Sequence, residues 1–402
     1  MDNELAAILQ LKEITTKEDR YEPYAWYSRM RENEPIRFDE YRQVWDVFRY
    51  EDVKTVLEKK DIFSSNRSRN AEREKSPIEQ SLISIDPPKH TAMRSLVNQA
   101  FTPKAMKSWE PRIVRIADDL LRPLQPGSEI EVVEALTYPL PVLVIAELMG
   151  VPSDDQAKFK EWSDWVVAGP KDNSPEELQK LAQNQMRTYQ ELHNYFAGII
   201  EKKKLDPADD IISVLTASSI DGEKLTDEEI IGFCILLLVA GNETTTNLLS
   251  NTLYSFMEYP DQYRKVKNDP DRFLKTAVEE GLRFRSPVQS MSRLTKEDVV
   301  LSGQHIPKGS FVFAWMGSAN RDETIFKDAH TFMIDRKPNP HLAFGKGIHF
   351  CLGSPLARME AEIVLKGWMD KFPDFRLSSS HELNPIESTF VYGLKELKIK
   401  TL

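Results

Sequence analysis

The chain has 402 residues, 41% of them hydrophobic and 29% charged, and a formal net charge of -10. This acidic balance excludes a general nucleic-acid-binding protein, because phosphate binding requires a basic surface. Only two cysteines are present, so no disulfide framework exists and a reducing cytoplasm is expected. The first 20 residues lack a signal-peptide pattern, and the longest apolar run, 233–241, is too short to cross a bilayer. We therefore expect a cytoplasmic protein without a membrane anchor.

The predicted elements are mostly helical. An apolar, aromatic-rich stretch over 36–48 predicts a strand, followed by a helix over 51–60. Helical periodicity with Pro, Gly or Asp/Ser/Thr boundaries then predicts helices over 90–100, 103–124, 138–149, 154–167, 175–204 and 209–217. A threonine cap and three acids open a helix over 226–259, roughly 50 Å long.

Towards the C-terminus we expect a helix over 271–284, short strands over 299–313 and a last helix over 354–372. No internal repeat and no Pro- or Gly-rich linker is present. The sequence therefore predicts a mainly α fold with small β-sheets, organised as a single domain over 1–402.

The most informative segment is 344–353, FGKGIHFCLG, in which three glycines and Cys351 precede a predicted helix. The helix dipole and nearby backbone N–H groups at such a position stabilise a thiolate, the form of cysteine that binds metal. The residues alone leave open that Cys351 is only a small buried side chain. A zinc site is disfavoured because the two cysteines are far apart and no ligand cluster accompanies them.

The haem-binding signature of the cytochrome P450 monooxygenases is matched at Phe344, Gly345, Gly347, His349, Cys351, Gly353 and Ala357. The chain resembles the soluble bacterial branch of this family from about residue 24 to Gly393, and in particular members that hydroxylate steroids, terpenoids and fatty acids. The resemblance implies the cytochrome P450 fold, with a long central helix over a buried haem b. It makes the Cys351 thiolate the iron ligand and assigns Phe344, Gly345 and Gly353 to cofactor binding.

In the long helix, residues 240–245, AGNETT, resemble the oxygen-activation motif of the family. The resemblance makes Thr245, Glu243 and Gly241 the catalytic residues. Glycine leaves room over a haem face, while a hydroxyl and an adjacent acid can deliver protons to oxygen. The alternative is that the threonines only bond back to helix carbonyls, and we interpret Thr244 and Thr246 as structural in this way.

Glu280 and Arg283 lie three positions apart and so share one helix face. Such a pair is normally a solvated bridge that stabilises little. The resemblance implies instead a buried triad with Arg336, which supports the Cys351 loop and takes no part in catalysis.

Haem carries two propionates, which require cations and hydrogen-bond donors. The resemblance implies that these are supplied by His90, Arg94, Arg293 and His349.

By the same resemblance the substrate pocket is lined by Leu82, Ile85, Val167, Leu237, Ala240, Val288, Met291 and Val391. These side chains are apolar, which favours a large hydrophobic substrate such as a steroid, secosteroid, terpenoid or fatty acid. Apolar pockets discriminate weakly between molecules of similar size, so the exact substrate does not follow.

The expected reaction inserts one atom of O2, the co-substrate, into a C–H bond. Electrons would come from NAD(P)H through a ferredoxin or flavodoxin and its reductase, because the sequence contains no flavin or iron–sulfur segment of its own. Cations suited to docking an acidic partner are Lys346, Lys104, Lys107 and Arg112. We expect a monomer.

Three alternative functions remain open. A peroxygenase would use hydrogen peroxide directly, but that branch typically lacks the acid and threonine present here as Glu243 and Thr245. A haem-dependent sensor or carrier would bind a hydrophobic ligand without turnover. A haem-free helical lipid-binding protein is the third.

Overall fold

A computed structural model describes residues 11–67, 81–167, 174–219 and 222–402. Contacts group the chain into two compact units. The first unit consists of Met1–Arg67, Ala117–Tyr138 and Glu243–Leu402, and the second of Ser68–Ile116 and Pro139–Asn242. This grouping does not decide whether the chain folds as one domain, so the single-domain prediction stays a prediction.

Fourteen α-helices lie within the described residues. In chain order they are α1 (Lys17–Tyr21), α2 (Tyr24–Asn33), α3 (Tyr50–Glu58), α4 (Lys89–Val97), α5 (Pro103–Leu121), α6 (Pro139–Met149), α7 (Gln156–Val167), α8 (Pro175–Leu205), α9 (Ile211–Ala217), α10 (Asp227–Glu258), α11 (Pro260–Asn268), α12 (Pro270–Phe284), α13 (Met316–Ala319) and α14 (Ser354–Lys371). The predicted helices are all present, with ends shifted by a few residues.

In the described part of the chain, ten short strands form three sheets, all in the first unit. The strands are β1 (Ile36–Asp39), β2 (Val44–Val47), β3 (Phe63–Ser64), β4 (Glu129–Glu131), β5 (Ser290–Thr295), β6 (Val299–Leu301), β7 (Gln304–Ile306), β8 (Phe311–Trp315), β9 (Phe375–Leu377) and β10 (Lys398–Thr401). The largest sheet has the order β1-β2-β8-β5-β3, and the others are β4-β10-β9 and β6-β7. The prediction of a mainly α fold with small β-sheets is confirmed.

Among the differences from the sequence-based expectation, two concern how a predicted element is divided. The predicted strand over 36–48 is a hairpin of β1 and β2, in which Ile36 pairs with Val47, and the turn residue Gln43 has a φ of +53°. The long helix α10 ends at Glu258, and a separate helix, α11, begins at Pro260. Proline lacks an N–H and therefore fits the first turn of a new helix.

The core of the first unit lies between the five-stranded sheet and α3. Fully buried Val53 and Val56 of α3 belong to one apolar cluster with Val47 of β2 and Val312 of β8. This packing fixes the C-terminal end of α3, against which the Cys351 loop lies.

The described part of the second unit is helical, and its helix α6, with the sequence PLPVLVIAELM, is apolar on almost every side and largely buried. Helices α7 and α8 are joined by aromatic contacts: the rings of Phe159 and Phe196 are 6.1 Å apart, and those of Trp162 and Tyr195 are 5.0 Å apart. Such edge-on pairs add to the apolar burial that holds the helices together.

Helix α10 is the one described helix that is long and apolar enough to cross a membrane by length and composition. In the structure 56% of its most apolar window is buried. Burial of this kind is the property of a core helix, so the composition alone is weak evidence for a membrane span.

Candidate active site

The loop that carries Cys351, residues 341–353, is folded back on itself by backbone hydrogen bonds. The Cys351 N–H donates to the carbonyl of Phe344 at 2.9 Å, and the Phe350 N–H donates to that of Gly347 at 3.1 Å. Gly345 and Gly347 have φ values of +70° and +71°, a region that side chains other than glycine rarely adopt. We call residues 341–353 the cysteine loop.

Gly347 also lets the cysteine loop approach α3 closely. A Cβ atom there would lie 3.1 Å from both the carbonyl oxygen of Leu57 and the Cα of Glu58. By contrast, a Cβ at Gly353 would meet no atom within 4 Å. Glycine is therefore needed at 347 for packing, whereas Gly353 borders open space beside Cys351.

Cys351 lies half-buried just before α14, which begins at Ser354 with Pro355 in its first turn. The positive end of the α14 dipole therefore lies near the sulfur and favours its anionic form. The other cysteine, Cys234, is fully buried, and burial raises the pKa of its thiol far above the ordinary value. Only Cys351 is thus suited to act as a thiolate.

The structure brings Glu280, Arg283 and Arg336 together. Both oxygens of Glu280 accept hydrogen bonds from Arg283, at 2.7 and 2.8 Å, and both accept from Nε of Arg336 at 3.2 Å. The side chains of Glu280 and Arg283 are fully buried, and that of Arg336 is nearly so. The i to i+3 spacing thus forms a buried network and not a solvated surface pair.

This triad reaches the cysteine loop through Asn320. Arg283 donates to the carbonyls of Asn320 and Ala329, each at 2.9 Å, and to that of Thr331 at 3.1 Å. The side-chain oxygen of Asn320 then accepts from the Leu342 N–H at 2.6 Å. Two hydrogen bonds therefore separate the buried guanidinium from the start of the cysteine loop.

The first half of the oxygen motif lies in the second unit. A Cβ atom at Gly241 would lie 3.3 Å from Cγ1 of Ile145, so glycine at this position lets α6 pack closely against α10. The neighbouring Asn242 donates to Ser163 at 2.7 Å and is buried. Packing thus gives a reason for Gly241 in addition to the predicted room over a haem face.

The two threonines of the motif lie on different faces of α10. Leu237, Gly241 and Thr244 are half-buried and Ala240 is exposed, whereas Thr245 is only 3% exposed. Since a helix turns by about 100° per residue, Thr244 shares a face with Leu237 and Ala240, and Thr245 does not. The catalytic role predicted for Thr245 stays a prediction. The exposure of the side chains along α10 favours Thr244 for this role. Glu243 is half-buried.

The predicted propionate ligands fall into two pairs. In the second unit His90 is buried on α4 and Arg94 follows one turn later. Burial, and next the charge of Arg94, lower the pKa of His90, which favours a neutral imidazole. In the first unit Arg293 is buried on β5, and His349 is half-buried at the end of a 3-10 turn over Gly347–His349.

Two predicted pocket residues of the first unit meet directly. Val288 and Val391 form an isolated antiparallel bridge, flanked by hydrogen bonds from Gln289 N–H to Phe390 O at 2.8 Å and from Tyr392 N–H to Pro287 O at 2.9 Å. Met291 follows, half-buried on β5. In the second unit Leu82 is buried, Ile85 and Leu237 are half-buried and Ala240 is exposed, while the side chain of Val167 lies outside the described residues.

The predicted docking cations differ in their surroundings. Lys346 of the cysteine loop is exposed, as are Lys104 and Lys107 in the second unit. Arg112 is different, because its guanidinium donates to the backbone carbonyl of Asp209 at 3.0 Å and forms an ion pair with the Asp209 carboxylate. This ion pair leaves Arg112 less suited to docking than the three lysines.

The family model for Cytochrome P450 matches residues 5–402, almost the whole chain. The chain belongs to the cytochrome P450 family. The resemblance seen at the cysteine loop is therefore confirmed, and the protein is a haem-thiolate monooxygenase, an oxidoreductase that uses O2 and a hydrophobic substrate.

Individual relatives agree with this assignment over nearly their full length. The chain is 49% identical to the putative cytochrome P450 YjiB of Bacillus subtilis, covering 96% of this chain and 95% of the relative. It is similar to the substrate-free crystal structure of CYP109E1 from Bacillus megaterium, with a TM-score of 0.92, 55% identity and coverage of 95% and 99%. The same enzyme in complex with corticosterone gives a TM-score of 0.89 and 53% identity, covering 96% and 99%.

The residues of this chain fit a haem whose iron is bound by one thiolate. A half-buried sulfur stands at the N-terminus of α14, with open space beside Gly353. Among the described residues no group of three or more His, Cys, Asp or Glu could hold a metal ion. A single-sulfur donor set of this kind is suited to iron already held by a macrocycle, and not to a zinc site.

The structure also reveals residues that the sequence analysis missed. Glu279, directly before the triad carboxylate, binds His341 and Arg358, which lie on either side of Cys351. The double acid at 279–280 was a visible signal, but a sequence pattern does not indicate which partners two neighbouring carboxylates choose.

We expect Gly347→Ala to lower the melting temperature and the haem content more than Gly303→Ala does. Gly303, in the β6–β7 hairpin, also has a positive φ, +84°, but its Cβ would meet no atom. That control therefore measures only the backbone cost, about 1–2 kcal/mol. Equal effects of the two substitutions would show that the approach to α3 is unimportant.

Proposed function

We propose that this cytochrome P450 inserts one atom of O2 into a C–H bond of a steroid-like substrate, with Cys351 as the thiolate ligand of the haem b iron. The observation that carries the proposal is the cysteine loop, in which glycine turns and the start of α14 surround one half-buried sulfur. Electrons would come from NAD(P)H through a ferredoxin or flavodoxin and its reductase. We further propose a cytoplasmic monomer.

When bound, the haem supplies the iron at which O2 is activated. His90 and Arg94 from α4, and Arg293 and His349 from the first unit, would bind its propionates through charge-assisted hydrogen bonds. His90 and Arg293 are buried, which supports this role because a charge-assisted hydrogen bond is stronger where water is excluded. Phe344, Gly345 and Gly353 would shape the loop around the sulfur.

Thr244 and Glu243 are proposed to handle the protons that the reaction consumes. The hydroxyl of Thr244 would hold a proton at Oγ1, and the carboxylate of Glu243 would replenish it. The half-buried position of Thr244 supports this choice over Thr245, whose side chain is buried. Gly241 would keep the helix surface free of a side chain.

The steroid class is proposed on two grounds. The predicted pocket residues of the first unit, Val288, Met291 and Val391, are apolar and half-buried, which suits a large hydrophobic molecule held by few hydrogen bonds. CYP109E1, similar to this chain over almost its whole length, has been crystallised with corticosterone. Secosteroids, terpenoids and fatty acids are the other classes that such a pocket could accept.

An acidic redox partner would dock at the exposed Lys346 of the cysteine loop. Phe350, directly before Cys351, is 40% exposed and would contribute an apolar contact beside this cation. A charged residue next to an exposed aromatic ring is a common composition for transient docking surfaces.

The ligand assignment is tested by the absorption spectrum of the reduced protein under carbon monoxide. The natural chain should show the strongly red-shifted Soret band of thiolate-bound haem. Cys351→Ala should lose that band, and Cys234→Ala should keep it. Retention of the band in Cys351→Ala would refute the assignment.

The substrate class is tested by turnover with NADPH, a ferredoxin or flavodoxin and its reductase. We expect corticosterone to give a product heavier by one oxygen atom, and hydrogen peroxide alone to support little turnover. Product from a long-chain fatty acid but not from steroids would overturn the steroid proposal while leaving the monooxygenase intact. Efficient turnover with peroxide alone would favour a peroxygenase.

Thr244→Ala and Thr245→Ala form a matched pair that tests proton delivery. Thr244→Ala should divert most electrons to hydrogen peroxide, because the hydroxyl that would hold the proton is lost. Thr245→Ala should keep a nearly natural ratio of product to consumed NADPH. The reverse outcome would restore the original prediction for Thr245.

A further inference from the structure

We propose that Glu279 is a positioning residue for the Cys351 sulfur, acting through His341 and Arg358 at the two ends of the cysteine loop. The inference rests on the proposed role of Cys351 as the iron ligand. It concerns a carboxylate next to, but separate from, the Glu280 triad.

The first contact joins α12 to the helix that follows the cysteine. Arg358 of α14 donates from Nε to one oxygen of Glu279 at 2.6 Å and from Nη2 to the other at 2.9 Å. Two parallel bonds between a planar guanidinium and a carboxylate fix orientation as well as distance. The first turns of α14, and with them the end of the cysteine loop, are therefore held against α12.

The second contact joins the same carboxylate to the beginning of the loop. Nε2 of His341 lies 3.0 Å from a Glu279 oxygen, while its Nδ1 accepts the Ala343 N–H at 3.3 Å. Because Nδ1 accepts, Nε2 carries the proton and donates to Glu279. His341 is almost fully buried, at 4% side-chain exposure. Glu279 thus connects residues that lie on opposite sides of Cys351 in the sequence.

His341 and Arg358 also contact the ring of Phe344, whose carbonyl accepts the Cys351 N–H. The Arg358 guanidinium carbon lies 4.5 Å from the centroid of the Phe344 ring, and the His341 ring lies 6.1 Å from it. Cation–π and aromatic contacts at these distances restrict the ring. The Glu279 carboxylate therefore controls the residue to which the backbone of Cys351 is bonded.

The charge of Glu279 persists over the working pH range. Burial alone would raise its pKa, but hydrogen bonds from His341 and Arg358 outweigh burial and lower the pKa to about 2. Glu279 and Arg358 remain about one third exposed, at 30% and 31%. An ion pair this exposed stabilises the fold little. Loss of the pair should therefore affect the geometry of the loop more than global stability.

The test uses the haem-containing protein and the variants Glu279→Ala, Glu279→Gln, Arg358→Ala and the double Ala variant. The first readout is hydrogen exchange of the amides in residues 343–353. The second is the rate at which the reduced carbon-monoxide complex loses its thiolate band. Glu51→Ala, which removes an exposed carboxylate 3.2 Å from Lys54 on α3, is the control.

We expect Glu279→Ala to speed both processes by roughly tenfold, as is typical when a residue supporting a metal ligand is removed. Glu279→Gln, which keeps an acceptor oxygen, should have a smaller effect. The double variant should show less than the sum of the two single effects, because both substitutions remove the same ion pair between Glu279 and Arg358. Exchange and spectra equal to those of Glu51→Ala, or additive effects in the double variant, would overturn the proposal.

Failure of the ligand assignment gives a different result. If the natural chain lacks the thiolate band, Cys351 is not the ligand, and the positioning of its sulfur has no catalytic meaning. If the natural chain shows the band and Glu279→Ala leaves both readouts unchanged, only the positioning role fails.

Discussion

The structure of the first unit depends on one buried carboxylate. Glu280 is removed from water together with Arg283, and a buried ion is tolerated only when its hydrogen-bonding capacity is satisfied. The remaining donors of Arg283 find backbone carbonyls at Asn320, Ala329 and Thr331. Because these buried charges would be costly without hydrogen bonds, the backbone carbonyls must stay within reach of Arg283. This requirement fixes the path of the irregular chain before the cysteine loop, which no sheet or long helix holds in place. Loss of one partner would leave an uncompensated charge, which costs about 3–5 kcal/mol.

Neighbouring carboxylates on α12 divide the work of holding the cysteine loop. Successive residues of a helix point about 100° apart, so Glu280 faces the triad while Glu279 faces α14. Glu280 acts through Asn320 on the Leu342 N–H, before the loop turns, and Glu279 acts on Arg358 after it. A rigid helix with two adjacent acids thus fixes both ends of a loop whose own regular structure is limited to the 3-10 turn over Gly347–His349.

The limits of the sequence-based predictions follow from the range of the interactions involved. Helices such as α8 and α12 were predicted to within one residue at their starts because caps and periodicity are local signals. Strands β9 and β10 were missed, since their pairing joins segments more than 20 residues apart and their sequences carry little alternation. The cysteine motif was found because its chemistry is contained in ten residues. The sequence analysis assigned the catalytic role to Thr245, and the proposal for Thr244 rests on the exposure of side chains along α10, which the sequence does not give.

Residues proposed for the substrate wall and for propionate binding lie on a single strand. Met291 and Arg293 lie two positions apart on β5, so their side chains leave the strand on the same side. Just before β5, Val288 is joined to Val391 by the bridge that brings the C-terminal segment against it. A bulkier side chain at 288 or 391 would therefore press on the start of the strand that carries Arg293. In this architecture the shape of the substrate wall and the placement of a proposed propionate ligand are not independent, because the same backbone hydrogen bonds between residues 287–290 and 389–392 hold both.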